Sequence, residues 1–186
     1  IKIIKVSGDD AKVYLNNIIT NNVEQINTKT SIYSCLLTPQ GKFLADFFIT
    51  NFEDGYFILV HSKFLEDLIK GLNFYKLRSK INIEDISHLY KYCFIPNPEI
   101  ETIFGTNILN LGCTAIDNSS YAFIDPRIAN LGAHIVTSEN SIGKNELELV
   151  EDDCLEHFLS HGLLSMYLIE DLSKFYPLEN NLHMLN

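Results

Sequence analysis

The sequence predicts an α+β fold in two lobes, and three observations predict it. Apolar runs of strand length follow one another across short turns in SIYSCLL, TPQG, KFLADFFIT, EDG and YFILVH, a succession of antiparallel hairpins rather than βαβ units. Single segments of helical period interrupt these runs, most clearly KFLEDLIKGLNFYKL. Pro96 and Pro98, in the tripeptide PNP, oppose both helix and ladder pairing and mark the internal boundary. The expected lobes are residues 1–95 and 96–186, with interleaving in sequence allowed.

In chain order, IKIIKV reads as a strand. Ser7 or Asp9 can cap the helix that follows, with Val13, Leu15, Ile18 and Ile19 turned toward a core. The hairpin through TPQG has Pro39 at the second turn position and Gly41 at its exit. The turn at EDG then leads into YFILVH, which makes three antiparallel strands in a row. Ser62 suits the cap of the next helix, whose Phe64, Leu65, Leu68, Ile69 and Leu72 recur at helical spacing. RSKINIED and YKYCFI return as strands. Beyond the prolines the reading is a short helix over EIETIFG, strands over SYAFID and AHIVT, a turn at DPR, and a helix over EDDCLEHFLSHGLL, opened by acids that suit a helix N-terminus.

A chain of 186 residues can bury a substantial core. Its formal net charge of −10 works against tight nucleic-acid binding, which relies on neutralising phosphates, yet leaves room for a small anionic ligand at a local basic patch. No apolar run approaches the roughly 18 residues that span a bilayer, and no signal-peptide pattern opens the chain, so no membrane partner is expected. Cys35, Cys93, Cys113 and Cys154 are widely spread without a C-x-x-C pair, which fits a reducing cytoplasmic or matrix-like compartment. His157 and His161 stand at i and i+4 but lack a third ligand, so no metal site is assigned. No P-loop, G-x-G-x-x-G or G-x-S-x-G motif gives support to kinase, dehydrogenase or hydrolase chemistry.

Two stretches place charge oddly. In LTPQGKFLADFFIT, Asp46 is the single acid among Phe43, Leu44, Phe47, Phe48 and Ile49, where an unpaired buried charge costs several kcal/mol, roughly. It needs either a partner or a wet cavity. In FYKLRSKINIED, an extended chain from Lys76 onward puts Lys76, Arg78 and Lys80 on one strand face. That strip reads either as a solvated edge kept charged against aggregation or as a site for a carboxylate-bearing ligand clamped by Arg78.

In order along the chain, LTPQGKFLADFFIT, FYKLRSKINIED, DPRIANLG and FYPLENNLHMLN resemble the folate-binding YgfZ family, relatives of the glycine-cleavage T-protein or GcvT aminomethyltransferases. The resemblance implies two ferredoxin-like lobes around a tetrahydrofolate channel, normally followed by a small β-barrel. It also implies a part in iron–sulfur cluster assembly or repair, with indirect effects on tRNA modification, in a bacterial cytoplasm or a mitochondrial matrix. The implied partners are folate and iron–sulfur assembly or client proteins.

On this resemblance Asp46 meets the pterin, Arg78 with Lys76 holds the glutamate tail, and His61 and Glu179 are further folate-binding candidates. No catalytic residue is assigned. The T-protein hairpin carries two consecutive acids, and Ala45–Asp46 stands in their place, which leans the reading from enzyme to binder. YgfZ proteins carry K-G-C-Y-x-G-Q-E beyond the last matching stretch. This sequence stops at Asn186, so the expectation is a chain truncated ahead of that signature and lacking the barrel. Whether by a cut, gene decay or nature is left open. An active aminomethyltransferase and a scaffold fragment without ligand stand as alternatives.

Overall fold

The computed structural model describes residues 1–27, 30–52, 54–97, 100, 113–117, 120–128, 130–138, 151–163 and 176. Two antiparallel sheets form the protein. The first contains β1 (Lys2–Ser7), β2 (Ile32–Leu37), β3 (Phe43–Phe52), β4 (Gly55–Val60) and β5 (Asn82–Asp85) in the order β2-β3-β4-β1-β5. The second contains β6 (Tyr90–Pro96), β7 (Cys113–Asp117), β8 (Ser120–Ile124) and β9 (Gly132–Ser138) in the order β6-β9-β8-β7. Helices α1 (Ala11–Ile18) and α2 (Leu65–Lys76) follow β1 and β4, and α3 (Glu151–Ser160) lies late in the chain. This is the predicted α+β class.

Period-two alternation in the first sheet sends alternate side chains to two cores. Phe43, Ala45, Phe47 and Ile49 of β3 join Tyr14 and Leu15 of α1 and Leu68 and Leu72 of α2 in one cluster. Tyr33, Phe48, Phe57 and Leu59 face the other way and meet Tyr121, Phe123 and Val136 of the second sheet. The first sheet is thus sandwiched between helices and the second sheet, and its central strands are apolar on both sides.

The hairpin through TPQG forms as expected. The Gly41 amide donates to the Thr38 carbonyl at 2.8 Å, and Gly41 takes φ of 78°, a conformation glycine adopts without penalty. Leu15 is buried as expected, but Val13 is 65 % exposed, and Ala11 and Tyr14 take the inward positions. Neither Ser7 nor Asp9 caps α1: Asp10 occupies the cap without a side-chain bond, its carboxylate accepting instead from the Lys80 amide at 2.7 Å. His61, not Ser62, caps the short 3-10 turn ahead of α2, its Nδ1 accepting from the Lys63 amide at 3.2 Å.

The basic strip does not exist as one face. Lys76 is the last residue of α2, Leu77 reverses the chain at φ of 45°, and β5 starts only at Asn82. Arg78 and Lys80 lie in the exposed turn between them. The helical period of KFLEDLIKGLNFYKL carries through Lys76, so the extended conformation needed to align the three cations begins after them. Sheet membership changes between Asp85 and Tyr90, ahead of the prolines, and Pro96 ends β6 in register with Gly132.

Gly132 is where the two long strands of the second sheet touch. A Cβ there would lie 2.4 Å from the Ile95 carbonyl oxygen and 2.4 Å from Phe94 Cζ. Gly132→Ala is expected to cost roughly 1–3 kcal/mol or more through overpacking. A urea midpoint equal to the parent's would refute the close approach.

Candidate functional site

Asp46 lies on the face of β3 that looks toward the second sheet, two residues before Phe48. Its partner is Tyr33 on the neighbouring strand, whose hydroxyl donates to Asp46 Oδ2 at 2.8 Å. Burial pushes the Asp46 carboxyl up; the Tyr33 bond and the Arg127 charge pull it down without cancelling that effect. The acid therefore titrates above the ordinary carboxylate value.

The opposing charge comes from the DPR turn after β8. Asp125 accepts from the Arg127 amide at 2.9 Å, an Asx-type turn, while its own amide donates to the Gly132 carbonyl at 2.9 Å. That turn folds the Arg127 side chain back onto the carboxylate in a bidentate clamp, with Nε to Oδ1 at 3.0 Å and Nη2 to Oδ2 at 2.7 Å. The guanidinium Cζ then sits 4.9 Å from the Phe48 ring centroid, 5.5 Å from Tyr33 and 5.6 Å from Phe158 of α3.

His134 completes the chain. Its Nε2 is 2.9 Å from Asp125 Oδ2 and its Nδ1 is 2.8 Å from the Tyr92 hydroxyl, in a setting where both His134 and Asp125 are buried. Burial alone would raise the Asp125 carboxyl, but Arg127 and His134 hold it well below the usual range. Burial lowers the His134 imidazole more than Asp125 raises it. The imidazole is therefore neutral at pH 7 and Asp125 ionised. An ionised carboxylate only accepts, so His134 carries its proton on Nε2 and takes the Tyr92 O–H at Nδ1.

The seam between the sheets thus holds an acceptor, Asp46, a fixed cation, Arg127, and aromatic walls. No group of three or more metal-ligating side chains occurs among the described residues. The buried Cys35 thiol is pushed up by burial first and by Asp46 next, which works against a thiolate nucleophile.

The remaining sequence candidates do not converge on Asp46. Arg78 precedes β5, three strands from β3 in the sheet, or about 14 Å at the usual strand spacing. Lys76 ends α2, which covers the opposite face. His61 serves as the cap described above, and Glu179 lies outside the described residues. Ala45 is fully buried against the helix side. A side chain at 45 points away from the seam, so its lack of an acid takes nothing from the seam.

Sequence reasoning missed Tyr33, Tyr92, Asp125, Arg127 and His134. The available signals were an acid and a base two apart in DPR, read as a turn and as part of the family resemblance with no role for either side chain, and a histidine within the apolar strand AHIVT.

A family profile described as the GCVT N-terminal domain matches residues 1–103, more than half of the chain. The chain belongs to the GCVT N-terminal domain family. An iron–sulfur cluster assembly factor IBA57 homolog, mitochondrial, from Mycosarcoma maydis is 26 % identical across 99 % of this chain and 47 % of that protein. The homolog of the same name from Pyricularia oryzae is 37 % identical over 86 residues, 44 % of this chain and 22 % of that protein. The chain spans about half or less of the length of these curated relatives. The crystal structure of the glycine cleavage system aminomethyltransferase T from Bartonella henselae superposes with a TM-score of 0.60 at 14 % identity, covering 74 % of this chain and 39 % of that one, a likeness of fold. On this GCVT-family scaffold, the seam lies between the two sheets.

Proposed function

We propose that this chain supplies a tetrahydrofolate-binding site to an iron–sulfur cluster assembly protein and does not transfer aminomethyl groups. The names of its curated relatives support the assembly role, with effects on tRNA modification following indirectly through clients that need clusters. The observation that carries the binding role is the seam itself. Asp46 offers a carboxylate that a pterin amino group and ring N–H can satisfy, beside a fixed cation and three aromatic rings. The seam's second carboxylate, Asp125, is committed to Arg127 and His134 and is not free for proton transfer. Arg78 with Lys76 holds the glutamate tail in this reading, away from the seam, and His61 and Glu179 are further folate contacts.

Isothermal titration with tetrahydrofolate tests the site. The parent should give saturable heat that Asp46→Ala abolishes, and Arg78→Ala should weaken a polyglutamylated folate more than a monoglutamate. A folded parent that gives no heat at high micromolar ligand favours a scaffold without ligand. Tetrahydrofolate-dependent release of ammonia from an aminomethyl-lipoyl carrier at a robust rate would overturn the non-catalytic assignment.

A further inference from the structure

We propose that Arg127 is the donor half of a two-point recognition site whose acceptor half is Asp46, and that the pair reads the oxo and ring N–H edge of a planar heteroaromatic lactam. This rests on the folate reading above and adds to it the residue that selects among pterins.

Arg127 is committed on one side only. Nε and Nη2 serve Asp125, whereas Nη1 has no hydrogen-bond partner among the described residues, in a side chain only 11 % exposed. A guanidinium has five N–H donors, and Nη1 is not fully enclosed, so its donors stay within reach of a ligand carbonyl. Asp46 accepts one bond from Tyr33, and a carboxylate has capacity for further donors. The rings of Tyr33 and Phe48 lie on the same side of the first sheet as Asp46, and Phe158 closes on the guanidinium from α3. Flat walls with one donor and one acceptor match an N–H next to a C=O on a ring. Burial that leaves the Asp46 anion poorly stabilised favours arrival of N–H donors. Tyr92 bonds His134 and His134 bonds Asp125, which makes them positioning residues that fix where Arg127 points.

A 4-amino group in place of the 4-oxo group would turn a donor toward the Arg127 donors. Sites built to hydrogen-bond a substrate group reject analogues that cannot reciprocate. The test compares tetrahydrofolate with tetrahydroaminopterin, its 4-amino counterpart, by titration calorimetry on the whole chain. The parent should prefer the oxo ligand by roughly 30-fold or more. Arg127→Met should bring the ratio near one, and His134→Gln should lower it partway. Because Arg127→Met strands the Asp125 charge, the double change Arg127→Met with Asp125→Asn serves where the single variant does not fold, with the same expected ratio. Mere damage to the fold would weaken both ligands together and keep the ratio. Equal affinities in the parent, or a ratio that survives loss of Arg127, overturns the selection by Arg127 while leaving the folate site standing. Absence of binding to either ligand by the folded parent removes the folate site and this inference with it.

Discussion

Asp125→Ala is expected to leave little folded protein at neutral pH. The substitution takes one anion from between a guanidinium that is nearly enclosed and an imidazole that is fully buried. Removing one partner from a buried ion pair typically costs about 3–5 kcal/mol, because the surviving charge keeps its desolvation penalty without compensation. A domain of ordinary stability has only about 5–15 kcal/mol in hand. Tyr92→Phe, which removes the neutral bond to His134, should cost only about 1 kcal/mol and serves as the reference. Urea unfolding of both variants decides the matter, and a loss for Asp125→Ala no larger than for Tyr92→Phe would show that the clamp contributes little.

The same network sets the acid limb of stability. Asp125 has a folded-state pKa depressed below its unfolded value, so its contribution is full above the unfolded value of about 4 and is lost as pH falls below it. His134 is also depressed, so the native state resists the proton that an unfolded histidine accepts below about 6.5. Both effects weaken the fold on acidification, His134 first and Asp125 later. Asp46 acts in the opposite sense: its raised pKa makes the ionised form a burden on the fold at neutral pH. In an Asp46→Asn variant, where that opposing effect is gone, urea midpoints should fall from pH 7 to pH 5 and again below pH 4. A flat profile across the first interval would contradict a buried neutral imidazole.

Features set by neighbouring residues were legible in the sequence, and features set by register were not. The β2–β4 meander announces itself because Pro39 and Gly41 fix a turn between two apolar runs within a few residues of each other. The end of α2 carried no such signal. Leu77 adopts φ of 45°, where helix ends usually spend a glycine or asparagine, so nothing marked the stop that separates Lys76 from Arg78. Asp46 stood out as an acid in an apolar strand, but its environment depends on Tyr33 across one ladder and on Arg127 across the packed faces of two sheets. The link from Arg127 through Asp125 to His134 needs the β8–β9 register, and Tyr92 needs the β6–β9 register, which pairs Phe94 with His134. None of these follows from spacing along the chain.

Ala45→Asp should destabilise the protein by several kcal/mol, roughly, and should not produce aminomethyl transfer. The substitution restores the two consecutive acids that the T-protein resemblance associates with this hairpin, so sequence alone makes it the obvious gain-of-function change. Geometry gives the opposite expectation. Position 45 is paired with Leu36 and fully buried among Phe43, Phe47, Leu68 and Leu72 in the cluster between sheet and helices. A new carboxylate there meets no cation in that cluster and must either stay protonated or open the packing of α2 on the sheet. It also projects from the face opposite Asp46, where it cannot share a ligand with the seam. Ala45→Ser, smaller and uncharged, should cost far less and separates the effect of charge from that of volume. If Ala45→Asp instead folds with the parent's urea midpoint and releases ammonia in a tetrahydrofolate-dependent reaction, then position 45 reaches the ligand, and the division of this strand into a packing face and a binding face is wrong.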